Sequence, residues 1–199
     1  MKKFFLLAIF MYANIAQAQT AQDIKQIENY LNNMQSLQAD FVQTASNGNT
    51  SEGKLYIAKP NKIRMEYADP TSVLIVGNGN YIVFNDKELD QVTNLDYTDV
   101  PATMILANTI KIDNNLLKID DFYKDSGTTS ITLTPPSFTN VGPITLVFTN
   151  SPFELKQWKI IDPQDTEVTL SMYNVVRNAK LNDDLFKFKK TQKNHRRRN

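Results

Sequence analysis

Apolar and polar residues alternate with a period of two over residues 53–70, which predicts two β-strands joined by a short turn. With the connection placed at 60–62, Lys59 would pair with Ile63 across the hairpin. One face would then be apolar, with the cation of Lys59 at its rim. The apolar side chains on that face are Leu55, Ile57, Ile63, Met65 and Tyr67. By pattern alone, this face is half of an ordinary sheet core.

The remaining pattern predicts one helix followed mainly by strands. Residues 22–35 place apolar side chains at helical spacing, and residues 101–110 predict a short second helix with Asp99 as its cap and Pro101 in its first turn. Met104, Ile105 and Leu106 give this second helix more apolar surface than a single stripe requires. Strands are predicted at 37–43, 73–76, 81–84, 116–122, 130–133, 144–148, 155–161, 168–176 and 186–188. About ten antiparallel strands would curl into a strongly curved sheet with a concave apolar side.

The N-terminus has the three parts of a secretory signal peptide. Lys2 and Lys3 precede an apolar run over 4–15, and Ala16-Gln17-Ala18 forms a cleavage site. We therefore expect residues 1–18 to be removed, 19–188 to form a single domain and 189–199 to be a basic, flexible tail. The chain has no cysteine, which fits an exported protein and leaves no N-terminal cysteine to be lipidated.

The sequence contains few residues of the types that usually carry out catalysis or bind metals. The single histidine, His195, lies in the basic tail, so the body cannot form a Ser-His-Asp arrangement or a histidine metal site. Without cysteine there is no thiol nucleophile. The adjacent carboxylates Asp120 and Asp121 would point to opposite faces of a strand. The sequence therefore predicts no enzyme, no metal and no cofactor.

Several blocks in a fixed order resemble the family of periplasmic outer-membrane lipoprotein carriers (LolA-like) over essentially the whole exported chain. They are Asp40-Phe41-Val42-Gln43, Gly53-Lys54-Leu55-Tyr56-Ile57, residues 59–67, Pro70, Gly79, Asp90-Gln91-Val92-Thr93, and Pro101 ahead of Met104-Ile105-Leu106. The resemblance implies a mainly β fold. A strongly curved antiparallel sheet would form an incomplete β-barrel, covered by the N-terminal helix and a short mid-chain lid helix.

The resemblance also implies a function. The protein would be a monomeric periplasmic chaperone that takes acylated lipoproteins from an inner-membrane ATP-driven releasing complex and delivers them to an outer-membrane receptor, without binding nucleic acid. Acyl chains would occupy a hydrophobic cavity, with Leu106 and Trp158 at family positions that line it. The expected cavity wall is Leu55, Ile57, Ile63, Met65, Tyr67, Met104, Ile105, Leu106 and Trp158.

Lys59 stands where the family usually has an arginine that holds the lid. Lysine keeps the charge and the hydrogen-bond donors but loses the planar fork of a guanidinium. The resemblance thus implies that Lys59 is the latch of a lid over 101–110. Three other roles are weighed: a carrier of another amphiphile, a lipid- or lipoprotein-sensing regulator on the same fold, and the outer-membrane receptor of the pathway. The absence of cysteine argues against the receptor.

Overall fold

The computed structural model describes residues 19–113, 115–136, 142–162 and 165–189. Within them, eleven β-strands form one antiparallel sheet. The predicted signal peptide and residues 190–199 of the predicted tail lie outside the described residues. The strands are β1 Ser36–Ala45, β2 Thr50–Ala58, β3 Lys62–Tyr67, β4 Val73–Asn78, β5 Ile82–Asp86, β6 Gln91–Leu95, β7 Lys118–Lys124, β8 Thr128–Thr134, β9 Ile144–Asn150, β10 Phe153–Ile161 and β11 Glu167–Arg177.

The sheet runs in the order β6-β5-β4-β3-β2-β1-β11-β10-β9-β8-β7. Strand β1 lies in the middle and pairs with both β2 and β11, so it joins the two halves of the chain. In the described residues β6 and β7 are the two edges, and the sheet is not closed into a barrel. The predicted fold class is confirmed, with an open curved sheet and few helices.

Helix α1 spans residues 19–33. The chain between β6 and β7 contains two 3₁₀ helices, Tyr97–Asp99 and Pro101–Leu106, and a third, Asp183–Phe186, follows β11. The predicted mid-chain helix is therefore shorter than 101–110. Its N-cap position is Val100, and no side chain caps it, so the prediction of Asp99 as its cap was wrong. No helix in the described ranges is long and apolar enough to cross a membrane.

One hydrophobic cluster fills the concave side of the sheet. Helix α1 contributes fully buried side chains such as Ile27 and Leu31, and the 101–106 helix is buried along its whole length. Strand β1 contributes Phe41. The strands on both sides of β1 complete the cluster with Leu55, Ile57, Ile131, Leu133, Ile144, Leu146, Phe148, Leu155, Trp158 and Leu170. Burial of each such aliphatic side chain stabilises the fold by about 1.5–3 kcal/mol.

The β2–β3 hairpin has the predicted faces but a different register. Ile57 pairs with Ile63 and Leu55 with Met65, so the connection is 59–61 and the predicted pairing is displaced by two residues. A displacement of two preserves the face on which every side chain lies, because side chains alternate with a period of two. The inward residues are therefore those predicted, although their partners are not.

Candidate functional site

The predicted cavity wall forms one contiguous apolar surface. Leu55 and Ile57 of β2 are fully buried, and Ile63 and Met65 of β3 are nearly so. Tyr67, at the far end of β3, is partly buried against the same cluster. The structure thus brings the hairpin residues of the predicted site together on the concave face.

The 101–106 helix packs over this surface. Met104, Ile105 and Leu106 are buried in the cluster, and the helix packs against β10, the strand that carries Trp158. Trp158 is itself nearly completely buried. All nine predicted wall residues therefore belong to, or pack against, one hydrophobic cluster. That acyl chains contact these residues stays a prediction.

Lys59 donates hydrogen bonds to α1 and to the residue just before β1. Its Nζ donates a hydrogen bond of 2.7 Å to the carbonyl oxygen of Leu31, and its backbone N–H donates to the Gln35 carbonyl at 2.8 Å. An ammonium at this position meets the carbonyl-rich C-terminal end of the helix, where a positive charge is favoured. Burial nevertheless lowers the pKa of Lys59 from 10.5 to about 8.

The direct contact between the hairpin turn and the 101–106 helix comes from Asn61 instead. The Asn61 backbone N–H donates to the Leu106 carbonyl at 2.9 Å. Asn61 has a φ of 58°, in the left-handed region that asparagine tolerates better than most residues. In this structure Lys59 binds α1, and Asn61, two positions later, binds the 101–106 helix. The latch role of Lys59 stays a prediction.

A phenol secures the other face of the same turn. The Tyr97 hydroxyl donates to the Asn61 carbonyl and accepts a hydrogen bond of 2.8 Å from the Gly79 N–H. Gly77 makes room for it, because a Cβ at that position would lie 2.6 Å from the Tyr97 oxygen. The segment just before the 101–106 helix is therefore fixed to the 59–61 turn as well.

Side chains of α1 bind the chain that follows the 101–106 helix. The Asn32 amide donates to the Ile110 carbonyl at 2.8 Å and accepts from the Ile110 N–H at 2.7 Å. One helical turn earlier, Glu28 Oε1 accepts a hydrogen bond of 2.8 Å from the Ile112 N–H. These contacts join α1 and residues 101–112 into one cover over the concave face.

Sequence reasoning missed Asn32, Glu28, Asn61 and Tyr97. All four act through backbone partners, and the α1 contacts span about eighty residues of sequence. A polar residue on the outer side of an amphipathic helix gives no signal of such a partner. Only Asn61, in a Pro-Asn turn, stands at a position where a special backbone conformation could have been anticipated.

An apolar pocket of about 190 Å³ opens where the cover meets the chain leading to β7. Met104 and Ile110 line one side, and Leu116 and Leu117 line the other. Leu116 is 58% exposed, although large aliphatic side chains are usually buried. The pocket therefore places accessible apolar surface directly beside the buried cluster.

Among the described residues, no group of three or more histidine, cysteine, aspartate or glutamate side chains could hold a metal ion. The polar groups around the cover are amides, a carboxylate, a phenol and a lysine, engaged mainly with backbone carbonyl and N–H groups. Their arrangement holds segments of chain in place.

Comparison with known proteins agrees with this architecture. Residues 32–189 match the model of the family described as outer membrane lipoprotein carrier protein LolA. The chain belongs to this family. An outer-membrane lipoprotein carrier protein of Nitrosomonas europaea is 29% identical over 178 residues, covering 84% of this chain and 85% of that protein. An uncharacterized protein of Rickettsia prowazekii is 27% identical over 192 residues, covering 95% of this chain and 88% of that protein.

A solved structure adds evidence on the fold alone. A DUF1329 family protein from Desulfovibrio piger superposes with a TM-score of 0.51 at 9% identity, covering 85% of this chain and 96% of that one. The predicted family is therefore confirmed by the sequence match, and its members are described as carriers rather than enzymes. For this family member, the cargo and the partners are matters of proposal.

Proposed function

We propose that the protein is a periplasmic carrier that shields the acyl chains of lipoproteins in its concave apolar interior. It would accept them from an inner-membrane ATP-driven releasing complex and deliver them to an outer-membrane receptor. The observation that carries the proposal is a single apolar cluster closed by α1 and residues 101–112, which a few polar contacts hold in place. Membership of the lipoprotein carrier family supports the class of cargo.

The energetics of the cargo favour a closed interior. Three acyl chains with roughly 40 methylenes would cost about 30 kcal/mol if exposed to water, at about 0.8 kcal/mol per methylene. A cargo of this kind needs an apolar host throughout its transfer between membranes. The host must recover most of that free energy and still release the cargo to a receptor.

The cover can open at a cost that the cargo can offset. The hydrogen bonds of Asn61 and Asn32 each contribute only about 1 kcal/mol net, and those of the charged Lys59 and Glu28 about 1.5–3 kcal/mol each. Two further contacts hold α1 to the sheet: Lys124 Nζ forms a salt bridge of 2.7 Å with Asp23, and the Asn178 amide donates to the Asn33 carbonyl at 3.1 Å. The larger cost is exposure of Met104, Ile105 and Leu106, and an acyl chain entering beneath them would cover that surface again. The closed form described here and an open, loaded form would then be two states whose populations the cargo shifts.

The pocket beside Leu116 is a natural point of entry. It joins exposed apolar surface to the underside of the 101–106 helix at Met104. A chain inserted there would meet apolar side chains before the polar contacts of the cover had to break. We therefore place the first step of loading at this edge of the cover.

The test is release of lipoprotein from spheroplasts. The exported protein is incubated with spheroplasts synthesising a labelled lipoprotein, and the supernatant is examined for a soluble complex of one protein with one lipoprotein. Such a complex supports the proposal. If a carrier already known to work with the same spheroplasts releases the lipoprotein and this protein releases none, the cargo is a different amphiphile or the protein does not transport lipoprotein.

A further inference from the structure

A second surface lies on the outer side of the sheet, away from the apolar interior. A pocket of about 370 Å³ is formed where the chain after β11 crosses β3 and β4. Its cations come from three separate segments: Arg64 from β3, Lys87 from the turn after β5, and Lys187 and Lys189 from the chain after the Asp183–Phe186 helix. We call the exposed cations Lys87, Lys187 and Lys189 the outer basic site.

Two of the pocket's cations are already engaged. The Arg64 guanidinium binds the Glu66 carboxylate and donates to the Leu185 carbonyl at 2.9 Å. Lys187 forms a salt bridge of 2.7 Å with Asp184, and this hydrogen bond, together with the charge of Lys189, holds the pKa of Asp184 below its usual value. Among the described residues, neither Lys87 nor Lys189 has a carboxylate within salt-bridge distance.

The charge of the chain is distributed very unevenly around this site. Residues 187–199 contain seven lysines and arginines and no acidic residue. Since the whole chain carries a net charge of +1, residues 1–186 carry −6. The positive charge is thus concentrated in the last thirteen positions of the sequence, the first of which belong to the outer basic site, whereas the rest of the chain is acidic.

We propose that the outer basic site binds the phosphate groups of anionic phospholipids and so attracts the protein to a membrane surface. Leu74 and Leu185 line the same pocket as the ammonium groups, and this apolar lining suits a headgroup attached to a glycerol backbone better than a fully hydrated anion. Clustered lysines and arginines bind anionic lipid, and each cation near the surface strengthens the affinity about fivefold. The inference rests on the proposed function, because the carrier role brings the protein to membranes.

The location of the site separates membrane attraction from cargo binding. Lys87 and Lys189 lie on the outer side, whereas the apolar cluster lies on the concave side. A protein attracted through the outer basic site would therefore keep its interior available for the acyl chains of lipoprotein cargo. The positively charged surface would raise the local concentration of the carrier at the membrane without competing with the cargo.

The test measures binding to lipid vesicles that contain no lipoprotein. The exported protein is floated with vesicles of phosphatidylcholine alone and of phosphatidylcholine mixed with phosphatidylglycerol, at low and high salt. We expect binding only to the phosphatidylglycerol vesicles, weakened by salt because the charges are exposed. A K87Q/K189Q variant should bind about 25-fold more weakly, from about fivefold for each cation. Removal of 190–199 should weaken binding further.

The matched control is K118Q/K180Q, which removes the same charge from exposed positions outside the pocket. Equal binding by this control and by K87Q/K189Q would overturn the proposal, as would equal binding to both kinds of vesicle.

A second arm adds millimolar inorganic phosphate. If phosphate alone displaces the protein from vesicles, the site is one for soluble phosphate rather than for a membrane. If the wild-type protein binds neither kind of vesicle but still releases lipoprotein from spheroplasts, this inference fails and the carrier function stands.

Discussion

The side-chain amide of Asn32 pairs with both the N–H and the C=O of Ile110, 78 positions later in the chain. The pairing satisfies two backbone groups in the segment that follows the 101–106 helix. It also fixes that segment to α1. The two parts of the cover are therefore coupled, and residues 101–112 can separate from α1 only if this pairing breaks.

Replacing Asn32 with alanine should loosen residues 107–112. The change removes one donor and one acceptor, and leaves two partly buried backbone groups without their partner, so the free energy of unfolding should fall by about 1–3 kcal/mol. Hydrogen exchange of the Ile110 amide should become much faster, because its acceptor is lost. The matched control is Asn33→Ala, at the neighbouring exposed position. Unchanged exchange at Ile110 would show that Asn32 does not hold the segment.

Lys59 should act as a latch through α1. Lys59→Leu removes the hydrogen bond to the Leu31 carbonyl, so we expect α1 to separate more readily from the hairpin and the rates of cargo loading and release to change. The control is Lys62→Leu, three positions later in the same hairpin, because Lys62 pairs with Asp183 on the outer side. Loading and release that are identical in wild type and Lys59→Leu would exclude a latch at Lys59.

Stability should depend on pH through Lys59. Burial lowers the pKa of its ammonium group from 10.5 in the unfolded chain to about 8 in the folded protein. Between these values the unfolded chain binds more protons than the folded one, so the free energy of unfolding should rise with pH over this window. Below pH 8 both states are protonated and the cost of burying the charge is present in full.

The measurement is urea unfolding of wild type and Lys59→Met at several pH values from 7 to above 10. The difference in unfolding free energy between the two proteins should shift in favour of wild type as pH rises from about 8. Parallel pH profiles would mean that Lys59 is as well solvated in the folded protein as in the unfolded chain.

Gly53 should tolerate no side chain. A Cβ at this position would lie 2.1 Å from the Glu66 carbonyl oxygen and 2.8 Å from the Phe41 ring. Since the nearest atom belongs to the backbone of β3, Gly53→Ala should force the two strands apart and destabilise the fold by about 1–3 kcal/mol or more. Gly127→Ala, whose added Cβ meets no atom closer than 3.7 Å, is the control for urea unfolding. Equal stability of the two variants would contradict the close approach of β2 and β3.

Alternation predicted the faces of the sheet better than it predicted pairing. Leu55, Ile57, Ile63 and Met65 are buried as predicted, because burial depends only on the parity of each position. The turn was predicted one residue too late along the chain, which moves the pairing by two residues. A shift of two leaves every side chain on the same face, so the alternation of apolar and polar residues does not reveal the error. Register is therefore fixed by the turn geometry at 59–61, which alternation does not encode.

Other elements were predicted wrongly because the local pattern of apolar residues does not determine them. Strand β6 was not predicted, since its sequence Gln-Val-Thr-Asn-Leu is largely exposed on both faces at the edge of the sheet. A strand predicted at 186–188 was wrong: Phe186 ends a 3₁₀ helix and is buried individually. The contacts of α1 with Ile110 and Ile112 depend on how the chain returns to the helix, which no local pattern of residues expresses.

Photo-crosslinking can show where the acyl chains of a bound lipoprotein lie. A diazirine amino acid is placed at Met65, which faces the interior, and in a second variant at Glu66, the next residue of the same strand, which faces outward. Each variant is loaded with lipoprotein carrying labelled acyl chains and irradiated. We expect strong labelling of the Met65 variant and little of the Glu66 variant. Equal labelling of both, or labelling from Glu66 alone, would contradict an acyl-binding interior.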